Sequence, residues 1–263
     1  MSENRQFSRS QSESGQRGTY TAPLFSTTVL LNTPMSNGYS LLRLSCLPEL
    51  FPQTTSTLCF IFIDKQLLAV MQVFPQQSAV EVLCLENARY QRGTEHKARF
   101  ISIPIPTIET TAIPLFIAED IYIGALVFFL QQQGLQRLRT TQSLCLLYTN
   151  QYFPFNQRPS LIHCPAMPHG VIGAMPLLDD WGIVSRLASE QELIGCYEGH
   201  ISHLLRYYLN EQNKFSTDYR YHLYCIGSSE LSQRVQQDLT LLTHPKVVTF
   251  TNLIPKELQQ FQA

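Results

Sequence analysis

Cys196, His200 and His203 fall at i, i+4 and i+7, a spacing that brings three side chains to one face of a helix and offers zinc the thiolate and imidazole ligands it takes. A fourth ligand would have to come from elsewhere, Cys164 or His163 for instance, and nothing in the spacing demands it. Gly195 and Gly199 flank Cys196 and set it in a turn ahead of the helix, which points to ordinary packing rather than a metal site. The pair Asp179-Asp180 beside Trp181 offers two carboxylates for acid–base work and an indole for stacking. The seven cysteines are odd in number and scattered, several within apolar runs such as Leu58-Cys59-Phe60 and Leu144-Cys145-Leu146, so they read as buried free thiols of a reducing compartment. No Cys-x-x-Cys pair occurs, which removes the usual framework of a thiolate-held iron–sulfur centre. Nucleophile-elbow, zincin and Walker-type motifs are also absent.

The elements that must position such residues come in two styles. From Pro23 to about Thr107 the chain offers short β-branched and aromatic runs (Thr27–Leu31, Ser40–Leu44, Leu58–Ile63, Leu67–Phe74, Val80–Cys84, Phe100–Ile103), which predicts a small antiparallel barrel. After Thr107 strands alternate with amphipathic stretches. Strands are expected at Ile113–Ala118, Leu144–Tyr148, Leu161–Cys164, Ile183–Leu187, Tyr221–Ile226 and Val247–Phe250, and helices near Ile121–Gln133, Val171–Asp180, Glu198–Glu211 and Glu230–Leu242. The expected organisation is a disordered tail over residues 1–22, a barrel over 23–107, an α/β parallel-sheet domain over 108–252 and a C-terminal tail over 253–263. With 15% charged residues and a net charge of -1, a general nucleic-acid binder is not expected. No apolar run has the length of a transmembrane span or the position of a secretory signal, so a cytoplasmic protein is expected.

The block His169-Gly170-Val171-Ile172-Gly173-Ala174-Met175-Pro176-Leu177-Leu178-Asp179-Asp180-Trp181-Gly182-Ile183-Val184-Ser185-Arg186-Leu187-Ala188-Ser189, with Ile194-Gly195-Cys196-Tyr197-Glu198-Gly199 after it, resembles the nucleotide-binding domain of the bacterial dihydroorotate dehydrogenase electron-transfer subunit, a ferredoxin-reductase-like protein. Phe153-Pro154-Phe155-Asn156-Gln157-Arg158-Pro159-Ser160 and Leu223-Tyr224-Cys225-Ile226-Gly227-Ser228-Ser229-Glu230-Leu231 are similar to segments of the same family, and the similarity covers roughly Ile113 to Leu242. The resemblance implies a barrel that binds FAD, an α/β domain that binds a nicotinamide nucleotide, and a C-terminal segment carrying a [2Fe-2S] centre. It also implies that Asp179, Asp180 and Trp181 close a helix before a strand, with Trp181 packed against the sheet.

Position by position, the chain departs from that pattern. Where the family places glycines in its phosphate-binding turn stand Asp120 and Tyr122, with Glu119 as a second acid, and these carboxylates are expected to cap the following helix. The run Gln66-Leu67-Leu68-Ala69-Val70-Met71 stands where the resemblance implies the flavin-binding arginine and serine, and has neither. No four-cysteine segment follows the last strand, and Cys225 is expected to be a buried strand thiol. The expectation is therefore a non-enzymatic interaction subunit of a larger bacterial assembly, a secretion or coupling complex among them, with protein partners and no cofactor, catalytic or metal residue. Residues 1–22 and Pro255–Ala263 would be its docking arms. The alternative is a divergent flavin- or NAD(P)-dependent electron-transfer oxidoreductase subunit, its electron centre supplied by a partner.

Overall fold

The computed structural model describes residues 24–51, 57–105, 108, 111–215, 220–242, 248–254 and 258. The expected arm at 1–22 lies outside them. Six strands, β1 (Leu24–Pro34), β2 (Tyr39–Ser45), β3 (Thr57–Ile63), β4 (Gln66–Phe74), β5 (Ala79–Leu85) and β6 (Glu95–Pro104), close into an antiparallel barrel in the order β1-β2-β5-β4-β3-β6. Register shifts at Val29/Leu31 and Val70/Gln72 are the bulges that let so small a sheet bend round on itself. β3 and β4 meet in a two-residue turn at Asp64 and Lys65, both at positive φ (48° and 67°), the hand that suits strand twist. β3 is apolar almost throughout, and the reason is that both of its faces are covered. Cys59, Ile61 and Ile63 point into the barrel core, whereas Leu58 and Phe60 join a larger core outside it.

The second half contains β7 (Ile113–Glu119), α1 (Tyr122–Gln133), α2 (Leu135–Thr140), β8 (Leu144–Thr149), β9 (Arg158–Pro159), β10 (Gly173–Ala174), α3 (Pro176–Asp180), β11 (Val184–Ser189), β12 (Tyr197–Glu198), α4 (Ile201–Phe215), β13 (Tyr221–Ile226), α5 (Ser229–Leu239) and β14 (Val248–Asn252). A parallel sheet runs β12-β11-β8-β7-β13-β14. Chain order reverses between β7 and β13, and that is the topological switch point. The two-domain α+β fold expected from the sequence is the one observed.

α1 joins the halves. Its residues Tyr122 to Leu130 are all buried, as expected of a helix that is apolar around its whole circumference. Gly124 is what lets it lie directly on the barrel: a Cβ there would stand 2.8 Å from Met71 Cγ, 3.2 Å from Leu83 Cβ and 3.5 Å from Ala69 Cβ. One buried cluster therefore runs from Leu58, Phe60 and Ala69 of the barrel through α1 to Phe116, Leu147 and Leu187 of the sheet. Leu253, Ile254 and Leu258 are buried in the same cluster, so the described part of the C-terminal segment is packed and is not a free arm.

Two expected elements are not formed. Residues 161–164 make turns instead of a strand, and Ile162 offers its carbonyl to the guanidinium of Arg186 at 2.8 Å. The helix expected over Val171–Asp180 is reduced to α3, because the chain at Ile172 and Gly173 crosses Gly195 with both N–H groups donating to the Gly195 carbonyl, at 3.0 and 2.7 Å. A Cβ on Gly173 would lie 2.9 Å from that oxygen, so this glycine marks a close backbone crossing. Pro176, which a helix interior would not accept, stands in the first turn of α3. Among the described residues no helix is long and apolar enough to cross a membrane.

Candidate functional site

At the carboxyl ends of β7, β8, β11 and β13 lies a cavity of about 290 Å³. It is lined by Glu119, Tyr148, Asn150, Glu190 and His200 on one side and by Ser228, Glu230, Leu231 and Arg234 of α5 on the other. This is the crevice in which open parallel sheets hold their ligands.

The turn from β7 into α1 keeps a glycine-like shape without glycine. Asp120 adopts φ 45°, the left-handed region that few side chains tolerate. Neither acid caps α1: its N-cap is Ile121, with no side-chain hydrogen bond. That corrects the capping expectation, and the geometry gives the cause. Glu119 reaches across the switch point and accepts the Ser228 N–H, while Asp120 lies beside Thr149 and Asn150 at the end of β8. Burial raises the pKa of both carboxyls above the ordinary range. Gly227 makes the Glu119 contact possible, since a Cβ there would sit 2.8 Å from Glu119 Oε1 and 2.5 Å from Leu231 Cδ2. Tyr122, the other residue at an expected glycine, is buried against Phe60 of the barrel with ring centroids 6.1 Å apart. Its hydroxyl is buried and has no hydrogen-bond partner.

His200 is 4% exposed, and burial, reinforced by the charge of Arg234, lowers its pKa to about 4. It is therefore neutral at physiological pH. Its Nδ1 accepts the Ser202 N–H at 3.2 Å and lies 2.7 Å from the Ser202 hydroxyl. That hydroxyl also donates to Asp238 Oδ2, and the other oxygen of the carboxylate takes Arg206 Nη1 at 2.8 Å. Tyr148 packs edge-on to the ring at 4.8 Å, with its Oη 2.9 Å from Glu190 Oε1. Arg234 is exposed, and among the described residues it makes no ion pair. The crevice thus presents hydrogen-bond acceptors from Glu190 and Glu230, the His200 ring, and one guanidinium for an anion.

No protein-family model matches the chain, and no curated protein sequence matches it. Solved structures do. A ferredoxin NADP+ reductase from Neisseria gonorrhoeae, determined with bound FAD and NADP, superposes with TM-score 0.55 at 11% identity, over 88% of this chain and 99% of that one. This chain has the ferredoxin-reductase fold. An Amycolatopsis cytochrome P450 reductase matches with TM-score 0.56 at 9% identity (89% and 72% of the two chains), and a siderophore-interacting protein from Acinetobacter baumannii with 0.54 at 13% (91% and 95%). The matched reductases share both halves in the same order, a finding against the expected scaffold of a secretion or coupling complex. At these identities what they share with this chain is the fold.

The outer face of β4 does not fit a flavin. Leu67 and Ala69 are buried in the core outside the barrel, and α1 lies on Ala69 and Met71 through Gly124, so neither a phosphate-binding side chain nor an open surface is present there. The positions singled out as possible ligands are not brought together either. Cys196 lies in the turn before α4, and the His200 and His203 rings are 6.3 Å apart. Among the described residues no group of three or more His, Cys, Asp or Glu side chains could hold a metal. Asp179 accepts from the Ser160 hydroxyl (2.7 Å) and the Leu161 N–H (2.9 Å), Asp180 pairs with Arg158, and Trp181 packs on the main core. Cys225 is a fully buried thiol of β13, its pKa raised by burial. Sequence reasoning missed Tyr148, Glu190 and Arg234, which come from separate strand ends and a helix. The one signal for them was position, at the carboxyl ends of parallel strands.

Proposed function

We propose that this chain is a divergent electron-transfer oxidoreductase subunit that binds NADH or NADPH in the crevice between β7 and β13, with the electron-accepting centre carried by a protein partner. The observation that carries the reading is the polar crevice at the switch point of a reductase-type sheet, holding a single unpaired guanidinium. Arg234 would meet a phosphate of the nucleotide. Glu190 would accept from ribose hydroxyls. When bound, the nucleotide supplies a hydride. The hydrogen bond from the Ser228 N–H to Glu119, together with the raised pKa values of both acids, reduces the repulsion they would present to phosphate.

The block from His169 to Gly199 supports a kinship with the dihydroorotate dehydrogenase electron-transfer subunit, degenerate in its flavin arm. The covered face of β4 supports the same view, and it is why the acceptor is assigned to a partner. Calorimetric titration of the purified chain with NADH, NADPH and FAD tests the proposal. Saturable binding of a nicotinamide nucleotide is expected, together with a roughly tenfold loss on Arg234→Gln for NADH and no loss for nicotinamide riboside, which lacks the phosphate. Absence of binding by both nicotinamide nucleotides would overturn the proposal, and a tightly bound flavin in the purified chain would overturn the partner arrangement.

A further inference from the structure

A second cavity, of about 420 Å³, opens at the other end of the parallel sheet. Its apolar wall is made by Ile113, Leu144 and Val184, the first residues of β7, β8 and β11. Arg139 and His163 also line it, and none of its lining residues is an aspartate or glutamate. Arg139 gives its Nε–H to the Trp181 carbonyl, which leaves both terminal nitrogens of the guanidinium without a partner among the described residues. His163 is exposed and makes no hydrogen bond among them.

Directly behind this cavity is a buried cation without a counterion. Arg186 of β11 is 4% exposed. Its Nη1 donates to the Ser185 carbonyl at 2.5 Å and its Nη2 to the carbonyl of Ile162, a cavity-lining residue, at 2.8 Å. Its Nε is buried with no partner. Among the described residues Arg186 forms no ion pair, and Asp179 is hydrogen-bonded to Ser160 and Leu161 instead. A buried guanidinium that lacks a paired carboxylate is costly, and an anion brought close to it offsets that cost. One free guanidinium in front, an unpaired one behind and no acid in the lining give the cavity a positive potential. The crevice, with its three glutamates, is the opposite.

We propose that the cavity at the amino ends of β7, β8 and β11 binds a small carboxylate with a compact apolar body, the carboxylate meeting Arg139 and His163 and the apolar part lying on Ile113, Leu144 and Val184. Arg186 adds positive potential from behind without touching the ligand. The site is separate from the crevice and does not depend on its function.

Sodium benzoate, titrated calorimetrically into the full chain at constant ionic strength, is the probe, with acetate and inorganic phosphate as comparisons. One saturable site is expected, in which benzoate binds better than either comparison and excess NADH does not displace it. Arg139→Gln, an exposed substitution on α2, should weaken benzoate roughly tenfold. Arg186→Met should weaken it several-fold and shrink the rise in melting temperature that benzoate produces. If Arg186→Met does not fold, Arg139→Gln decides alone. Undetectable benzoate binding, equal affinity in wild type and Arg139→Gln, phosphate binding as tightly as benzoate, or displacement by NADH would each overturn the proposal.

Discussion

Lowering the pH should unfold this protein in part through a single histidine. His200 has its pKa lowered from 6.5 to about 4 by burial and by Arg234, and it sits neutral between Tyr148 and the Ser202–Asp238 pair. The unfolded chain takes up this proton near pH 6.5 and the folded chain does not until about pH 4. The contribution of His200 to stability is therefore intact above that window and is lost as pH falls through it. Between about pH 7.5 and about pH 5 the loss from this one group comes to about 2 kcal/mol. Urea denaturation at the two pH values, followed by the fluorescence of Trp181, the single tryptophan, measures it. Carboxylates elsewhere add their own pH dependence, so the informative quantity is the difference from His200→Gln. That variant keeps an acceptor for the Ser202 N–H and carries no titrating ring. The wild type should lose about 2 kcal/mol more than the variant. Equal losses in the two, within about 0.5 kcal/mol, would show that His200 is not held neutral in the folded chain.

Glu119→Gln should stabilise the protein by on the order of 1 kcal/mol at neutral pH, since the amide oxygen still accepts the Ser228 N–H without a buried charge. The sign is fixed by the raised pKa: the penalty is absent below the unfolded value and grows as pH rises through the folded one, so the two stability curves should converge in acid and separate toward neutrality. Tyr122→Phe removes a buried hydroxyl that has no partner and should raise stability by roughly 1 kcal/mol in urea melts, whereas a loss would mean that the hydroxyl is satisfied. Gly124→Leu should destabilise by about 3 kcal/mol, because its side chain must enter the contact of α1 with Met71, Leu83 and Ala69; an unchanged melting curve would show that α1 does not rest on β4.

The strands were legible because their apolar runs are short and separated by turns, and β13 falls at Tyr221–Ile226 as the sequence suggests. The β-α-β rhythm was legible for the same reason. What could not be read were features set by chain crossings. The apolar stretch 171–180 has helical spacing, yet backbone hydrogen bonds from Ile172 and Gly173 to Gly195, 22 residues beyond Gly173, hold its first part extended. α2 was missed because Gly134, at φ 80°, ends α1 only one residue before α2 begins, with no loop to announce it. The crevice was the least legible feature. Tyr148 and Glu190 touch across 42 residues, and Ser202 and Asp238 across 36, distances at which no local pattern carries a signal. The acids at 119 and 120 were noticed, but their neighbours, Ser228 and Asn150, come from other strand ends.

The glycine at 124 also bears on how the molecule can move. Because α1 is seated in both halves at once, barrel and sheet cannot swing apart without stripping Met71, Ala69 and Leu83 from the helix. Ligand exchange must then proceed by side-chain and loop adjustment at the strand ends, with no hinge between the halves. Melting should be a single cooperative transition, and a protease cut between barrel and sheet should yield two fragments that stay associated.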